Sequence, residues 1–542
     1  MSARPPRAEP SADRSAALVA GITIASRALG LLRTVVMTAV LGVTFLGNTY
    51  ATANAVPNLL FEIVAGGALA AVVLPALAPA VARQDRESSA RAASALVNVG
   101  LVALTPVVLA GLLFRGPLMG VLTSGVEDQG LRALERDLGS FLLLLFLPQV
   151  WLYAIGIVLT GTLQAHRRFA WPALAPLLSS VVVTASYVLY AMVEGGNAGH
   201  LERISPAGRL ILGLGTTAGV AALSLSLVIP AHRLGLRWRP ILHIPAEART
   251  TIRRLAGSAV IAVGAQQVLL AVVVVIANSV RGGVVAYQLG FTMLLAFWAV
   301  FPVPMATAAF PDLASAASKG DRAQFAHHSS QAAKRVVVLV FGGAAILVAA
   351  APPLARLILA LGAGKGVASP SMLAMAIGLF APGLVGYGAY ALLTRAAYAL
   401  GDGRSPARGA VLGFGSAVLL DVVAAQFLGG PALIGALAGS FSIGVTAGAL
   451  VLLGMFRARA GREAVEGIRI TAARGLVSGI AGAAVGSLAA RALPGAEPAT
   501  VAASLVATGV AAALAAGVYV LGQRLLGDRV LIEALAGLRS AR

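Results

Sequence analysis

Apolar windows long enough to cross a lipid bilayer recur from residue 17 to residue 526 of this 542-residue chain, leaving no room between them for a soluble domain of ordinary size. A hydrocarbon core of about 30 Å takes about 20 mainly apolar residues in a helix. Inside that core every backbone N–H and C=O has to be satisfied within the protein, so a series of such windows folds as a bundle of helices. Composition agrees: 58% of the residues are hydrophobic and 11% charged, against roughly 25% charged in soluble domains. The expected fold class is an all-α polytopic membrane protein.

Fourteen membrane helices are expected, at 17–43, 55–82, 93–114, 138–164, 171–193, 207–231, 251–279, 284–315, 335–360, 371–400, 407–428, 431–456, 470–491 and 499–526. Their connections alternate in charge. One set is basic and includes Arg83/Arg86/Arg91, Arg167/Arg168, Arg233/Arg237/Arg239, Lys319/Arg322/Lys334, Arg404/Arg408 and Arg457/Arg459/Arg462, together with both chain ends. The other set is nearly neutral, and its longest member, 115–137, balances Arg115, Arg132 and Arg136 against Glu127, Asp128, Glu135 and Asp137. Basic connections stay in the cytoplasm, so both termini are expected there. The net charge of +20 is mostly this topogenic signal, which favours an anionic inner leaflet over nucleic acid as the partner.

Several chemistries drop out. The chain has no cysteine, hence no disulfide, thiolate metal site or cysteine nucleophile. Its six histidines show no metal-ligand spacing, and Gly364-Lys365-Gly366 lacks the strand context and Ser/Thr of a phosphate-binding loop. No cofactor is expected, and transport by this chain is not powered by bound ATP. Residues 1–15 read as a disordered tail rather than a signal peptide, because the apolar stretch that follows is long and carries arginines.

An internal repeat organises the spans. Ala70-Ala71-Val72-Val73-Leu74-Pro75, ending near Asp85, resembles Ala306-Thr307-Ala308-Ala309-Phe310-Pro311, ending near Asp321, 236 residues on. Leu159-Thr160, Ala165 and Pro172 match Leu393-Thr394, Ala399 and Pro406 at nearly the same offset. Parallel repeats of this kind are common in secondary transporters, whose substrate sits near the midplane between lobes that rock. The expected plan is an N-lobe at 16–231, a basic cytoplasmic linker at 232–250, a C-lobe at 251–456, an appended helix pair within 470–526 and a cytoplasmic tail at 527–542.

Intramembrane polar groups mark candidate sites, because an unpaired charge in lipid is costly. Arg27 and Arg33 lie inside the first span, about 9 Å apart along the helix and about 120° apart around it. Both reach one cavity only if that cavity is wide or the helix bends at Gly30; otherwise each snorkels or pairs with a carboxylate such as Glu62. Arginine's planar donor fork suits phosphate. Pro57 and Gly66-Gly67 suggest a kinked or unwound second helix, whose freed carbonyls Asn54 and Asn58 could satisfy. Asp421 is the one acid deep in the second lobe, with Thr446 on the next span. It either carries a coupling Na+ or H+ or simply makes hydrogen bonds. Gln266 and Gln267 bring no carboxylate to complete an ion site.

These motifs resemble a known family. Ser26-Arg27-Ala28-Leu29-Gly30-Leu31-Leu32-Arg33, Asn48-Thr49-Tyr50-Ala51-Thr52-Ala53-Asn54 and Val56-Pro57-Asn58-Leu59-Leu60 look like the N-terminal signature of the MurJ (MviN) lipid II flippases. Ala306-Thr307-Ala308-Ala309-Phe310-Pro311 and Tyr398-Ala399-Leu400-Gly401-Asp402-Gly403-Arg404-Ser405-Pro406 resemble motifs later in that family. The resemblance implies a V-shaped pair of lobes of the MOP transporter superfamily in the bacterial plasma membrane. It implies alternating access that carries lipid II, an undecaprenyl-diphosphate-linked cargo, from the inner to the outer leaflet through a cationic cavity. The candidate substrate contacts are then Arg27, Arg33, Asn48, Asn54, Asn58 and Glu62, and the candidate coupling residues Asp421 and Thr446, with coupling to Na+, H+ or the membrane potential. The last two helices would form a groove for the polyprenyl tail. Membrane lipids and the cell-wall synthesis machinery are the implied partners. The chain departs from the pattern at Phe61, where many relatives carry a third arginine, at Asn48 and Gly66, where they carry acids, and near Thr292, where some carry a basic residue. Competing readings keep the fold but move another polyprenyl-linked polysaccharide or a drug, or change the class to a polyprenyl-phosphate glycosyltransferase or a scaffold.

Overall fold

The computed structural model describes residues 12–63, 80–242, 246–300, 302–361, 369–492 and 500–528, together with Val73, Leu77, Val530 and Leu531. Among these, thirteen helical stretches are long and apolar enough to span a membrane. The first half of the chain runs through α1 (Ala12–Leu41), α2 (Phe45–Phe61), α3 (Arg86–Leu113), α4 (Arg115–Leu122), α5 (Gln129–Phe146), α6 (Gln149–Ala165), α7 (Ala170–Glu194), α8 (Pro206–Leu225) and α9 (Val228–Arg233). The second half runs through α10 (Ala246–Ala277), α11 (Gly283–Val300), α12 (Pro302–Ser318), α13 (Arg322–Ala360), α14 (Pro370–Phe380), α15 (Gly383–Ala399), α16 (Arg404–Phe427) and α17 (Gly430–Ala460). A last pair, α18 (Ile468–Ala492) and α19 (Val501–Leu525), packs on α13. Large apolar side chains such as Phe427, Leu525 and Met192 are more than three-quarters exposed, a surface suited to lipid rather than water.

The repeat is written into the turns. Asp85 caps α3 by accepting from the Ser88 N–H, and Asp321 caps α13 by accepting from the Gln324 N–H. The residue before each has positive φ, 54° at Gln84 and 69° at Gly320. The backbone bonds also repeat: Asp85 N–H donates to Ala80 and Asp321 N–H to Ala316. A second pair of turns repeats in the same way, with Arg167 at φ 58° and Gly401 at φ 71°. There Arg168 N–H donates to Leu163 and Asp402 N–H to Ala397. Helix contacts follow suit, α1 on α7 matching α10 on α16, and α2 on α5 matching α11 on α14.

Each half has its own core. One is built on Tyr50, Leu142, Phe146 and Tyr190, the other on Val336, Phe380, Leu384 and Phe441. Lipid supplies no hydrophobic drive between helices, so close backbone approach through small residues holds them instead. A Cβ at Gly413 of α16 would meet the Gly444 carbonyl of α17 at 2.7 Å, and one at Gly448 would meet the Gly409 carbonyl at 2.6 Å.

Three expectations are corrected. The second helix begins at Phe45 rather than 55, because Thr44 caps it by accepting from the Gly47 N–H, and this puts Asn48 inside the helix. The connection 115–137 is not an open loop but α4 and the first turns of α5. Within the single span expected at 284–315, Gly283–Val300 and Pro302–Ser318 are helical, and Phe301 between them lies outside the described residues. Helix α1 begins at Ala12, inside the segment read as a tail. The suggested unwinding at Gly66-Gly67 lies outside the described residues; before it, the backbone widens to a π turn at Glu62 and Ile63. The linker is strapped down as far as it is described. Asn98 of α3 donates to the carbonyls of Arg239 and Ile241 and accepts from the Trp238 indole N–H.

Candidate substrate cavity

Among the described residues the halves meet tightly at one end. There Asn48, fully buried, donates to the Val280 carbonyl at 2.9 Å and accepts from the Val284 N–H at 3.1 Å. Asn48 and Val284 are 236 residues apart, so the repeat-related starts of α2 and α11 touch each other. One turn on, Asn278 donates to Thr52 and to the Leu122 carbonyl, each at 2.9 Å. Gly282, at φ 72°, lies so close to Val43 that a Cβ would meet its carbonyl oxygen at 2.4 Å. Asn48 is therefore a clamp between the halves and not a cavity residue, a correction to its place in the expected binding set. Its amide serves as both donor and acceptor, which a carboxylate at the same position could not do.

Away from this seal the halves part around a cavity of about 540 Å³. Arg27, Gly30, Arg33 and Thr34 of α1 line it, facing Asn54 and Asn58 of α2, Tyr153, Ser179, Tyr187 and Thr216 across the first half, and Tyr287, Gln288, Phe291 and Thr292 of α11. Arg27 is exposed and Arg33 half-buried. No carboxylate among the described residues forms an ion pair with either. Helix α1 is helical through Gly30, and the one cavity is wide enough for both arginines to line it. Arg33 lies close enough to Tyr50, Tyr153 and Tyr187 to act on their phenols.

The polar floor was not foreseen. Tyr50 shares hydrogen bonds with Thr216 at 2.6 Å and Tyr187 at 2.8 Å, and its ring packs edge-on against Phe146 and Tyr187. The Tyr153 hydroxyl donates to Asn58 at 3.0 Å, so Asn58 holds a tyrosine rather than repairing a carbonyl freed by Pro57. Phe61 stacks on the same Tyr153 with ring centroids 4.3 Å apart. A signal existed in the sequence: a tyrosine at midspan needs a partner for its hydroxyl. Glu62 does not line the cavity; it is exposed at its side, near Tyr153 and Tyr387.

Asp421 is fully buried in α16, and neither carboxylate oxygen makes a hydrogen bond of normal length. Ser440 of α17 and Tyr287 of α11 stand near it. Thr446 is not beside it. That residue lies six positions beyond Ser440, about 120° around the axis, bonds the Ser442 carbonyl and packs on Gly386 of α15. A second fully buried acid, Glu135 of α5, lies in the stretch expected as the charge-balanced connection 115–137; both its oxygens are also unbonded, with Thr49 close by. Among the described residues no His, Asp and Glu group could hold a metal.

Two repeated helical lobes sealed at one end around a polar cavity define a membrane transporter of the alternating-access class. Residues 37–522 match the family model described as lipid II flippase MurJ, and the chain belongs to that family. The matched span begins just after Arg33. A probable lipid II flippase MurJ of Synechocystis is 29% identical over 231 residues, a match covering 41% of each chain. The relative from Vibrio cholerae is 24% identical over 430 residues, covering 77% of this chain and 78% of that one. Thus the match spans less than half of the Synechocystis protein's length and over three-quarters of the Vibrio one. Among solved structures, a lipid II flippase MurJ in an inward closed conformation superposes with TM-score 0.72 at 18% identity, over 94% of this chain and 99% of that one. An inward-facing multidrug resistance MATE transporter of the MOP superfamily superposes with TM-score 0.66 at 14% identity, over 82% of this chain and 98% of that one. At such identities the likeness is one of fold.

Proposed function

We propose that this protein carries lipid II, a polyprenyl diphosphate bearing the peptidoglycan precursor, from the inner to the outer leaflet of the bacterial plasma membrane. The observation that supports it best is that Arg27 and Arg33 line one cavity between the lobes, neither in an ion pair among the described residues. An anionic diphosphate supplies the counter-charge these guanidinium groups lack, in the bidentate geometry arginine favours. Both termini are assigned to the cytoplasm from the basic connections, so the sealed end faces outward and the cavity opens inward. Arg27 meets the diphosphate first and Arg33 lies deeper, beside the tyrosines. Lobe rocking then breaks the Asn48 and Asn278 bonds and opens the other side. Asp421 is the group assigned to coupling with an H+ or Na+ gradient, since a buried carboxylate is costly to keep charged unless a proton or a cation accompanies it.

The same fold is found in multidrug transporters, and charge separates the two cargoes: a cavity lined by two free arginines repels a cationic drug. The deciding experiment depletes the host's own flippase and asks this chain to restore growth and clear lipid II from the inner leaflet. Wild-type rescue with loss in Arg27→Ala/Arg33→Ala supports the reading. Failure of the wild-type protein to rescue, or full rescue by the double variant, overturns it.

A further inference from the structure

A second cavity, of about 350 Å³, opens between α12 and α13 near the Lys319–Asp321 turn. Met305, Ala308 and Ala309 of α12 form its apolar side, while His327, His328, Gln331 and Arg335 of α13 form its polar side, with Asp312 opposite. The spacing in each helix puts these residues on one face, so the slot runs lengthwise between two helices. The Nε of Arg335 is buried and makes no hydrogen bond. Neither Asp312 nor any other described carboxylate pairs with that guanidinium. The two imidazoles stand 6.0 Å apart. Lys319 and Arg322 flank the same turn, and its acid, Asp321, is engaged in capping α13.

We infer that this slot seats the headgroup of an anionic phospholipid bearing hydroxyls, such as phosphatidylglycerol. Its phosphate meets Arg335 and an imidazole N–H, a headgroup hydroxyl donates to Asp312, and the first acyl carbons cover Met305, Ala308 and Ala309. Basic pockets between membrane helices take lipid headgroups at this depth. A lipid fits better than a soluble anion because the slot continues into apolar surface. Phe310 beside it is 39% exposed, and Met305 packs into the cluster of Val338, Tyr519 and Val530. A soluble phosphate would leave that side uncovered. Asp312 sets the specificity, since it repels a bare anion and welcomes a hydroxyl donor. This inference does not depend on the identity of the transported cargo.

The test measures binding of dioctanoyl phosphatidylglycerol and dioctanoyl phosphatidylcholine to the purified full chain, with the variants Arg335→Gln, Ala308→Trp and Lys319→Gln. Wild type is expected to prefer the anionic lipid by about tenfold, the scale of one charge-assisted contact. Arg335→Gln removes that preference, Ala308→Trp removes it by filling the slot without touching the charge, and Lys319→Gln leaves it in place. Inorganic phosphate at millimolar concentration fails to displace the lipid. Equal affinity for the two lipids overturns the inference, as does an unchanged preference in Ala308→Trp or displacement by inorganic phosphate. If Arg335→Gln does not fold, Ala308→Trp alone decides.

Discussion

At repeat-related positions α1 carries Arg27 and Arg33 where α10 carries Val263 and Leu269, and α7 carries Tyr187 where α16 carries Asp421. Turns elsewhere in the repeat are nevertheless the same in both halves: Asp85 and Asp321 cap α3 and α13, and positive φ recurs at Gln84 and Gly320 and at Arg167 and Gly401. Turns and caps answer to backbone geometry, which both halves share. Cavity charge answers to the cargo, which meets the halves differently. The polar groups that line the cavity from the first half bond one another: Tyr50, Tyr187 and Thr216 share hydrogen bonds and Asn58 bonds Tyr153, whereas Glu135 deeper in that half is buried with both oxygens unbonded. In the second half Asp421 is buried with no such network. The anion binding proposed above therefore falls to the first lobe and the proposed response to a gradient to the second.

Moving charge between the halves tests this most severely. Each charge-assisted contact is worth about 1.5–3 kcal/mol, so Arg27→Ala/Arg33→Ala is expected to slow lipid II translocation about 100-fold or more in reconstituted vesicles. Thr292 lines the same cavity from α11 and is half-buried. Adding Thr292→Arg to the double variant should recover about tenfold, the worth of one such contact. No recovery would mean that the second lobe cannot share the anion, which sharpens the asymmetry. Undiminished translocation in the double variant would break it.

The next effect is qualitative. Asp421→Asn keeps the volume and removes the charge, so the variant should fold as well as wild type and lose the dependence of translocation on an imposed H+ or Na+ gradient. Tyr187→Phe should leave that dependence intact and lower stability by about 1 kcal/mol through the lost bond to Tyr50. A gradient response lost in Tyr187→Phe and kept in Asp421→Asn would reverse the assignment of the two lobes.

The membrane class, most spans and the repeat were legible because lipid imposes them on local sequence: twenty apolar residues are read directly, and turns repeat as short motifs. Arg27, Arg33, Asn54 and Asn58 were legible as polar groups that lipid would reject. The role of Asn48 was not, because it depends on a partner 236 residues away at the meeting of two repeats. Thr446 failed for a related reason: adjacency of two spans does not say which face each presents. Glu135 was hidden by a charge-balanced stretch that reads as a loop until α4 and α5 fold it inward. The Asn48 clamp gives the third prediction. Asn48→Ala leaves the Val280 carbonyl and Val284 N–H without a partner at the seal, costing about 1–3 kcal/mol. The chain has no native cysteine, so Ala51→Cys, 2% exposed behind the seal, reports opening cleanly. Its labelling by an impermeant maleimide should rise about tenfold in Asn48→Ala; an unchanged rate would remove Asn48 from the seal.

The smallest effect compares the two repeated turns that carry Arg168 and Asp402. The backbone bond is the same in both, but only the second adds a carboxylate, which accepts from the Arg404 and Ser405 N–H groups and pairs with Arg459 at 2.8 Å. Burial pushes the Asp402 carboxyl up, yet the hydrogen bonds from Ser405 and the nearby Arg459 outweigh it and hold the group below the usual carboxylate range. A carboxyl lowered on folding contributes stability that is present above its unfolded pKa, about 3.9, and is lost as pH falls through the lower folded value. Asp402→Asn is therefore expected to lower stability by roughly 1 kcal/mol near neutral pH, the scale of a cap and an exposed-side ion pair. The gap between variant and wild type should close as pH drops below about 4. Thermal unfolding of the purified protein across that range measures it. A gap that persists in acid would mean that shape, and not charge, distinguishes the second turn from the first.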